Sequence, residues 1–219
     1  MVFAGDLIWP RGFSVALGSD YLDAHHGGAL SEFPRPGDVI LRAPHIPTKA
    51  QSAIQNGQIP QLVLTGDRHD EHTCWTHVGI FVDQAMVCDS TPENQLSIRP
   101  IVDFIVEAPN CHIRIRRAIK PRGVSGTEWA SREAAIPSVA DSIRGHPYSK
   151  IDAVMSGLAN QRGASRQKGE IPEPSHCSNA AALLLLSAFG LTVWQGTDHE
   201  FPVPATFSLS PSLSDVKML

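Results

Sequence analysis

The sequence is poor in cysteine, carries no excess of positive charge and holds no long apolar run. Its four cysteines (Cys74, Cys88, Cys111 and Cys177) form no CxxC pair and are too sparse for a disulfide scaffold. They are therefore expected to be reduced thiols. The net charge of −4, with acids and bases interspersed, excludes the basic footprint that nucleic acid or an anionic membrane demands. No stretch approaches the roughly 20 apolar residues that cross a bilayer, so stable membrane insertion is not expected. Met1-Val2-Phe3-Ala4-Gly5-Asp6 has neither a basic start nor an apolar core, so no Sec-type signal is expected there. Internal repeats and low-complexity tracts are absent as well. What is left is an ordinary globular composition: 219 residues, 42% of them hydrophobic, suffice for one sizeable domain over 1–219.

The segment from Pro174 to Gly190 reads as one helix with both ends marked. Ser175 is the expected N-cap, and Gly190 can close the helix in a left-handed conformation. The helix body is apolar on every side, which predicts an element buried all round. Cys177 falls in its first turn, where unsatisfied backbone N–H groups and the helix dipole favour a thiolate. A cysteine so placed has two readings: a small buried hydrophobe, or an activated nucleophile.

Elsewhere, Pro36-Gly37-Asp38 predicts a turn leading into a strand at Val39-Ile40-Leu41. Residues 1–34 read as an irregular lead-in. Thr48 is expected to cap a short helix over 49–56 that stops at Gly57, with a further strand from Gln61 to Thr65. Residues 66–73 read as a polar loop feeding a strong strand at 75–82. Asp83-Gln84 turns the chain into a return strand at 85–90, so the two form a hairpin. Pro100 starts a short helix through Val106, and 111–119 alternates as a strand whose Arg114, Arg116 and Arg117 read as a solvated face. Thr127 is expected to cap a helix toward Gly145, bent or broken at Ile136-Pro137. Ser149 caps another over 150–159. Residues 160–174 predict a mobile loop, and the tail from Thr192 reads as loop. Strands in the first half and helices in the second predict the α+β class.

The hairpin carries the chemistry. With a turn near Asp83, Asp89 is expected directly opposite His77 and on the same face. A carboxylate there can accept the imidazole N–H, fix its tautomer and stabilise the imidazolium. Docking of the Cys177 helix against that face then completes a nucleophile–base–orienter set.

Several short motifs, taken in order, resemble a known family. Pro36-Gly37-Asp38-Val39-Ile40-Leu41 is similar to the first core strand of NlpC-type, papain-fold cysteine peptidases. Thr76-His77-Val78-Gly79-Ile80-Phe81-Val82 is similar to their His strand. The remaining matches are His146-Pro147-Tyr148, His176-Cys177-Ser178 and Ser210-Pro211-Ser212-Leu213. The His strand precedes the Cys helix, which resembles the circularly permuted branch with YiiX-like proteins and, further off, lecithin retinol acyltransferase. The motifs span about 36–213.

The resemblance implies an antiparallel sheet packed on a buried helix, with Cys177 as nucleophile, His77 as base and then acid, and Asp89 as orienter. That branch often carries Glu where this chain has Asp89. The resemblance also implies an oxyanion hole that uses the Cys177 N–H, a site lined by Tyr148, and no cofactor. The substrate it implies is a peptidoglycan stem peptide or other peptide, cut at an amide bond. Compact members of this kind resemble antibacterial effector toxins. The expectation is thus a protein made in a bacterial cytoplasm without a Sec signal and delivered to a rival's periplasm, with a secretion carrier and an immunity protein as partners. A lipid acyl hydrolase or acyltransferase is the alternative, and an inactive binding module on the same fold is a third reading.

A zinc site is the rival for the same residues, since His69, His72, Cys74 and His77 lie close in sequence. Their spacing matches no familiar finger, and a strand would point Cys74 and His77 to opposite faces, so no metal is expected. Without zinc, His69 and His72 read as a solvated loop beside the cleft. His176 is poorly placed as the base, because adjacent helical residues point about 100° apart.

Overall fold

Nine strands lie among the described residues, several of them short β-branched runs between turn signals, and three long helices and three short ones accompany them. The computed structural model describes residues 2–3, 7–8, 28–29, 34–44, 46–65, 70–106, 111–153, 174–193 and 202–216. The strands are β1 (Val2–Phe3), β2 (Leu7–Ile8), β3 (Gly28–Ala29), β4 (Val39–Pro44), β5 (His77–Phe81), β6 (Met86–Thr91), β7 (Gln95–Pro100), β8 (Cys111–Ala118) and β9 (Leu213–Asp215). The helices are α1 (Lys49–Thr65), α2 (Asp70–Thr73), α3 (Ile101–Val106), α4 (Gly126–Ile143), α5 (Cys177–Phe189) and α6 (Pro204–Leu209). The protein is α+β.

One antiparallel sheet runs β1–β8–β4–β5–β6–β7, and β9 shares the outer edge of β8 with β1. Strands β2 and β3 pair apart from it. Strand alternation separates two buried faces. Val39, Leu41, Val78, Ile80 and Cys88 face the main core, where Ala180, Ala181, Leu184 and Leu185 of α5 pack on them. Helix α4 lies against α5 and buries Ile136 and Ala140. The other face carries Ile40, Arg42, His77, Gly79 and Phe81, and α3 covers it with Phe104.

The structure departs from the sequence reading at several elements. Helix α1 runs through Gly57 and Pro60 to Thr65, so Gln61–Thr65 is helix and not strand. Its Gln55 Nε2 donates to the Cys74 carbonyl, and its Gln58 Nε2 donates to those of Thr73 and Trp75. These anchors outweigh propensity costs of about 1 kcal/mol for Gly and about 3 for Pro. Residues 70–73 form α2 within the expected loop. Helix α4 continues through Pro137 and begins at Ser125, whose hydroxyl accepts the Glu128 N–H, rather than at Thr127.

Strand β7 was not expected at all. The tail beyond Thr192 holds α6 and β9, and part of the lead-in supplies β1. The arginines of β8 are not a solvated face. Arg116 is buried and donates to the Phe207, Ser208 and Leu213 carbonyls, Arg117 grips Asp38, and Arg114 grips Asp215. Ser149 accepts the Asp152 N–H as the cap of a helical turn at 150–153. The rest of that expected helix, the loop at 160–173 and residues 66–69 lie outside the described residues.

Candidate active site

Helix α5 presents Cys177 as its first residue. The N-cap is His176 rather than Ser175: its backbone is extended and its Nδ1 accepts the Asn179 N–H at 3.3 Å. Ser175 stays close by, its hydroxyl accepting from Asn179 Nδ2. Since His176 Nδ1 is turned back onto the helix, it serves the helix start rather than the thiol. At the far end Gly190 sits at φ 67° and donates to the Leu186 carbonyl, as its position predicted.

The hairpin register differs from the expected one. Ile80 pairs with Cys88 and Phe81 with Val87, which carries Asp89 across from Gly79 rather than His77. The slip is two residues, so parity survives and Asp89 keeps the His77 face. The carboxylate reaches diagonally past Gly79, which has no side chain to block it. A Cβ on Gly79 would lie 2.6 Å from Val87 Cγ1 and 3.1 Å from Phe104 Cε2. Asp89 Oδ2 stands 2.7 Å from His77 Nε2, and both residues are buried. That contact leaves Nδ1 as the ring nitrogen open to another partner.

Cys177 supplies that partner from the opposite face of the sheet. The helix was expected on the His77 face, but it packs on the other one, and the thiol meets the imidazole at the first residue of β5. The meeting is possible because β5 and β6 stop pairing beyond Ile80 and Cys88. Val82 N–H donates to the Met86 carbonyl, so by the two-residue repeat Val78 N–H also points toward β6. There it donates to Cys177 Sγ, which is also hydrogen-bonded to the His77 ring.

The electrostatics follow from these contacts. Burial opposes ionisation of Cys177, but the neighbouring imidazolium and the hydrogen bonds from His77 and Val78 outweigh it, and the thiol pKa falls. Burial likewise opposes the His77 imidazolium, yet the Cys177 charge and the Asp89 hydrogen bond raise its pKa above the ordinary value. Cys88 is an internal control: equally buried but beside no cation of this kind, its thiol is pushed up to about 12. Burial, the charge of Cys177 and that of Glu93 raise the pKa of the half-buried Tyr148, so its phenol stays protonated.

Sequence reasoning missed Arg99 altogether. It lies on β7, donates from Nε to Asp89 Oδ1 at 2.7 Å and from Nη2 to Oδ2 at 2.5 Å, and is itself buried. It went unseen because β7 itself was not anticipated. Arg42, opposite His77, stacks over Phe104 at 4.8 Å, and Arg99 does so at 5.8 Å. The same ring stacks on His77 at 5.2 Å.

The described residues weighed as zinc ligands, His72, Cys74 and His77, do not form a metal-holding group. His72 is buried, with Nδ1 2.8 Å from the Ser208 hydroxyl, so it is not part of a solvated loop. His77 faces Asp89 and Cys177. His69 lies outside the described residues. Among those residues no group of three or more His, Cys, Asp or Glu is arranged to hold a metal ion.

No family model matches this chain, and no curated protein matches it. The fold is similar to a solved structure titled as that of metalloprotein yiiX from Escherichia coli. The TM-score is 0.54 at 15% identity, over 86% of this chain and 99% of that one. The likeness is one of fold. The metal in that title belongs to that protein, and the described residues here offer no cluster to match it.

Proposed function

We propose that this chain is a cysteine hydrolase on a permuted papain-like fold and that it cleaves an amide bond in a peptidoglycan stem peptide. One observation carries the chemistry: Cys177, His77 and Asp89 form a continuous hydrogen-bonded line whose charges favour thiolate and imidazolium. The Cys177 thiolate attacks the carbonyl carbon, forming a C–S bond and a tetrahedral oxyanion. In this reading the first-turn N–H groups of α5 hydrogen-bond that oxygen, and the Tyr148 phenol, kept protonated by its raised pKa, is a further donor. The His77 imidazolium gives its proton to the leaving nitrogen as the C–N bond breaks. Neutral His77 then takes a proton from water, whose oxygen attacks the thioester. The C–S bond breaks, releasing the acid and restoring thiolate and imidazolium.

The wall substrate rests on the order of motifs resembling NlpC-type enzymes. A second reading, a thiol acyl hydrolase acting on lipids, is favoured by Ile151, which is 74% exposed three residues beyond Tyr148. Digestion of purified sacculi by wild type and Cys177→Ala, with products read by mass spectrometry, tests both. New stem-peptide ends from wild type alone are expected. Fatty acid released from phospholipid vesicles, with no wall product, would replace the first reading by the second.

An antibacterial effector role belongs to the same proposal. Directed to the periplasm of a Gram-negative host, wild type should lyse cells and Cys177→Ala should not. A harmless wild type removes that role.

A further inference from the structure

We propose that Arg99 is a positioning residue for the Cys177–His77 pair, holding Asp89 as a carboxylate with Oδ2 turned to His77 Nε2. The proposal rests on the hydrolase reading above and extends it by one residue. Asp89 is fully buried, and a lone carboxylate in such a place loses its charge or its orientation unless it is paired. Its two oxygens are both taken. Oδ1 receives Arg99 Nε, and Oδ2 receives Arg99 Nη2 and His77 Nε2.

A bidentate guanidinium fixes the plane of a carboxylate as well as its charge, which an ammonium cannot do. The arrangement answers the short reach of an aspartate across a diagonal. Asp89 has one rotatable bond fewer than Glu, and the two-point contact of Arg99 fixes the plane of its carboxylate. The β6–β7 register places this grip: Asp89 pairs with Ser97 and Val87 with Arg99, so Arg99 sits one diagonal step from the carboxylate on the same face.

The charged groups around the pair can be named by element. Asp89 on β6 meets His77 from β5 and Arg99 from β7. His77 meets Cys177 from α5 and feels Arg42 from β4, whose charge opposes the imidazolium. The charges of Cys177 and Glu93 both act on Tyr148. Opposite Asp89, the Ser97 hydroxyl is buried and bonds to none of the described residues, so it does not compete for the carboxylate. Arg99 is thus the cation that pairs with Asp89 besides the base itself. Removing it weakens the ionised state of both Asp89 and the thiolate, and both losses act in one direction: the pair forms only at higher pH.

The test is the rate of Cys177 alkylation by iodoacetamide against pH, read by peptide mass spectrometry on the full chain, which needs no substrate. In Arg99→Met and Arg99→Gln the acid limb should move up by about half a unit to one unit, as loss of an opposite charge one residue removed predicts. In Arg99→Lys, which keeps the charge but loses the two-point grip, it should move by less than in Arg99→Gln without returning to wild type, with a thermal midpoint similar to that of Arg99→Gln. Should Arg99→Met fail to fold, Arg99→Gln carries the same comparison. A limb unmoved in the neutral variants, or moved as far by Lys as by Gln, overturns the positioning role while leaving the hydrolase reading in place. A wild-type Cys177 that titrates as an ordinary thiol overturns the reading and this proposal together.

Discussion

Two buried thiols in one core are shifted in opposite directions, and their neighbours make the difference. Cys88 has burial against ionisation and Asp89 beside it, so its pKa rises to about 12. Cys177 has the same burial but faces an imidazole backed by a carboxylate, and its pKa falls. Asp89→Asn keeps an acceptor for His77 Nε2–H but removes the charge that supports the imidazolium. Because the folded pKa of His77 is raised, its loss of support lowers the alkaline limb of the rate–pH profile toward the ordinary histidine range. The rate at neutral pH should fall by at least about tenfold, given the cost of losing the orienting charge in such triads. A pH–rate profile checks this, and an alkaline limb unchanged in Asp89→Asn would contradict it.

His77, Asp89 and Cys177 were legible because residue type, strand parity and a helix start each leave a mark in sequence. Arg99 was not, since its strand reads Gln-Leu-Ser-Ile-Arg-Pro and lacks the β-branched density that signals one.

At the scale of elements, two features decide the geometry: how α5 is seated, and where β5 and β6 part. Gly37 belongs to the first. It turns the chain into β4 at φ 90°, and a Cβ there would lie 2.3 Å from Phe189 Cε2 at the end of α5. Its N–H donates to the Phe81 carbonyl, so the turn ties β5 and the helix together. Gly37→Ala combines a left-handed residue with a clash and should cost on the order of 2–4 kcal/mol, measured by urea unfolding. An unchanged midpoint would contradict this packing.

The seating of α5 was readable in outline, because a helix apolar all round has to be buried. Which face it takes was not, since alternation fixes two faces without saying which one a distant helix will choose. The two-residue slip in the hairpin has a similar origin: the turn spans more residues than Asp83-Gln84, with Asp83 Oδ1 accepting the Ala85 and Met86 N–H groups. By local rule Gly57 reads as a helix stop and Ile136-Pro137 as a bend or break. Contacts with distant segments override that rule, and those contacts are invisible to a window of sequence.

At the scale of the molecule, the chain closes by bringing its last strand back to β8. Arg116 is the fastener, donating to three carbonyls of the closing segment. Arg116→Met would leave those buried acceptors unpaired and should destabilise the protein by roughly 3 kcal/mol, at about 1–3 per lost partner with some relaxation. A thermal midpoint within a degree of wild type would contradict that role.

The same closure brings α5 to β5 across a hundred residues of sequence. It follows that folding should make Cys177 more reactive rather than less. The most direct measurement is the alkylation rate of Cys177 at mildly acidic pH in the folded chain, in urea, and in folded His77→Ala, with Cys88 as the internal control. The account predicts that folded Cys177 outpaces both its unfolded rate and folded Cys88, and that His77→Ala abolishes the advantage. A folded Cys177 as slow as Cys88 would contradict it.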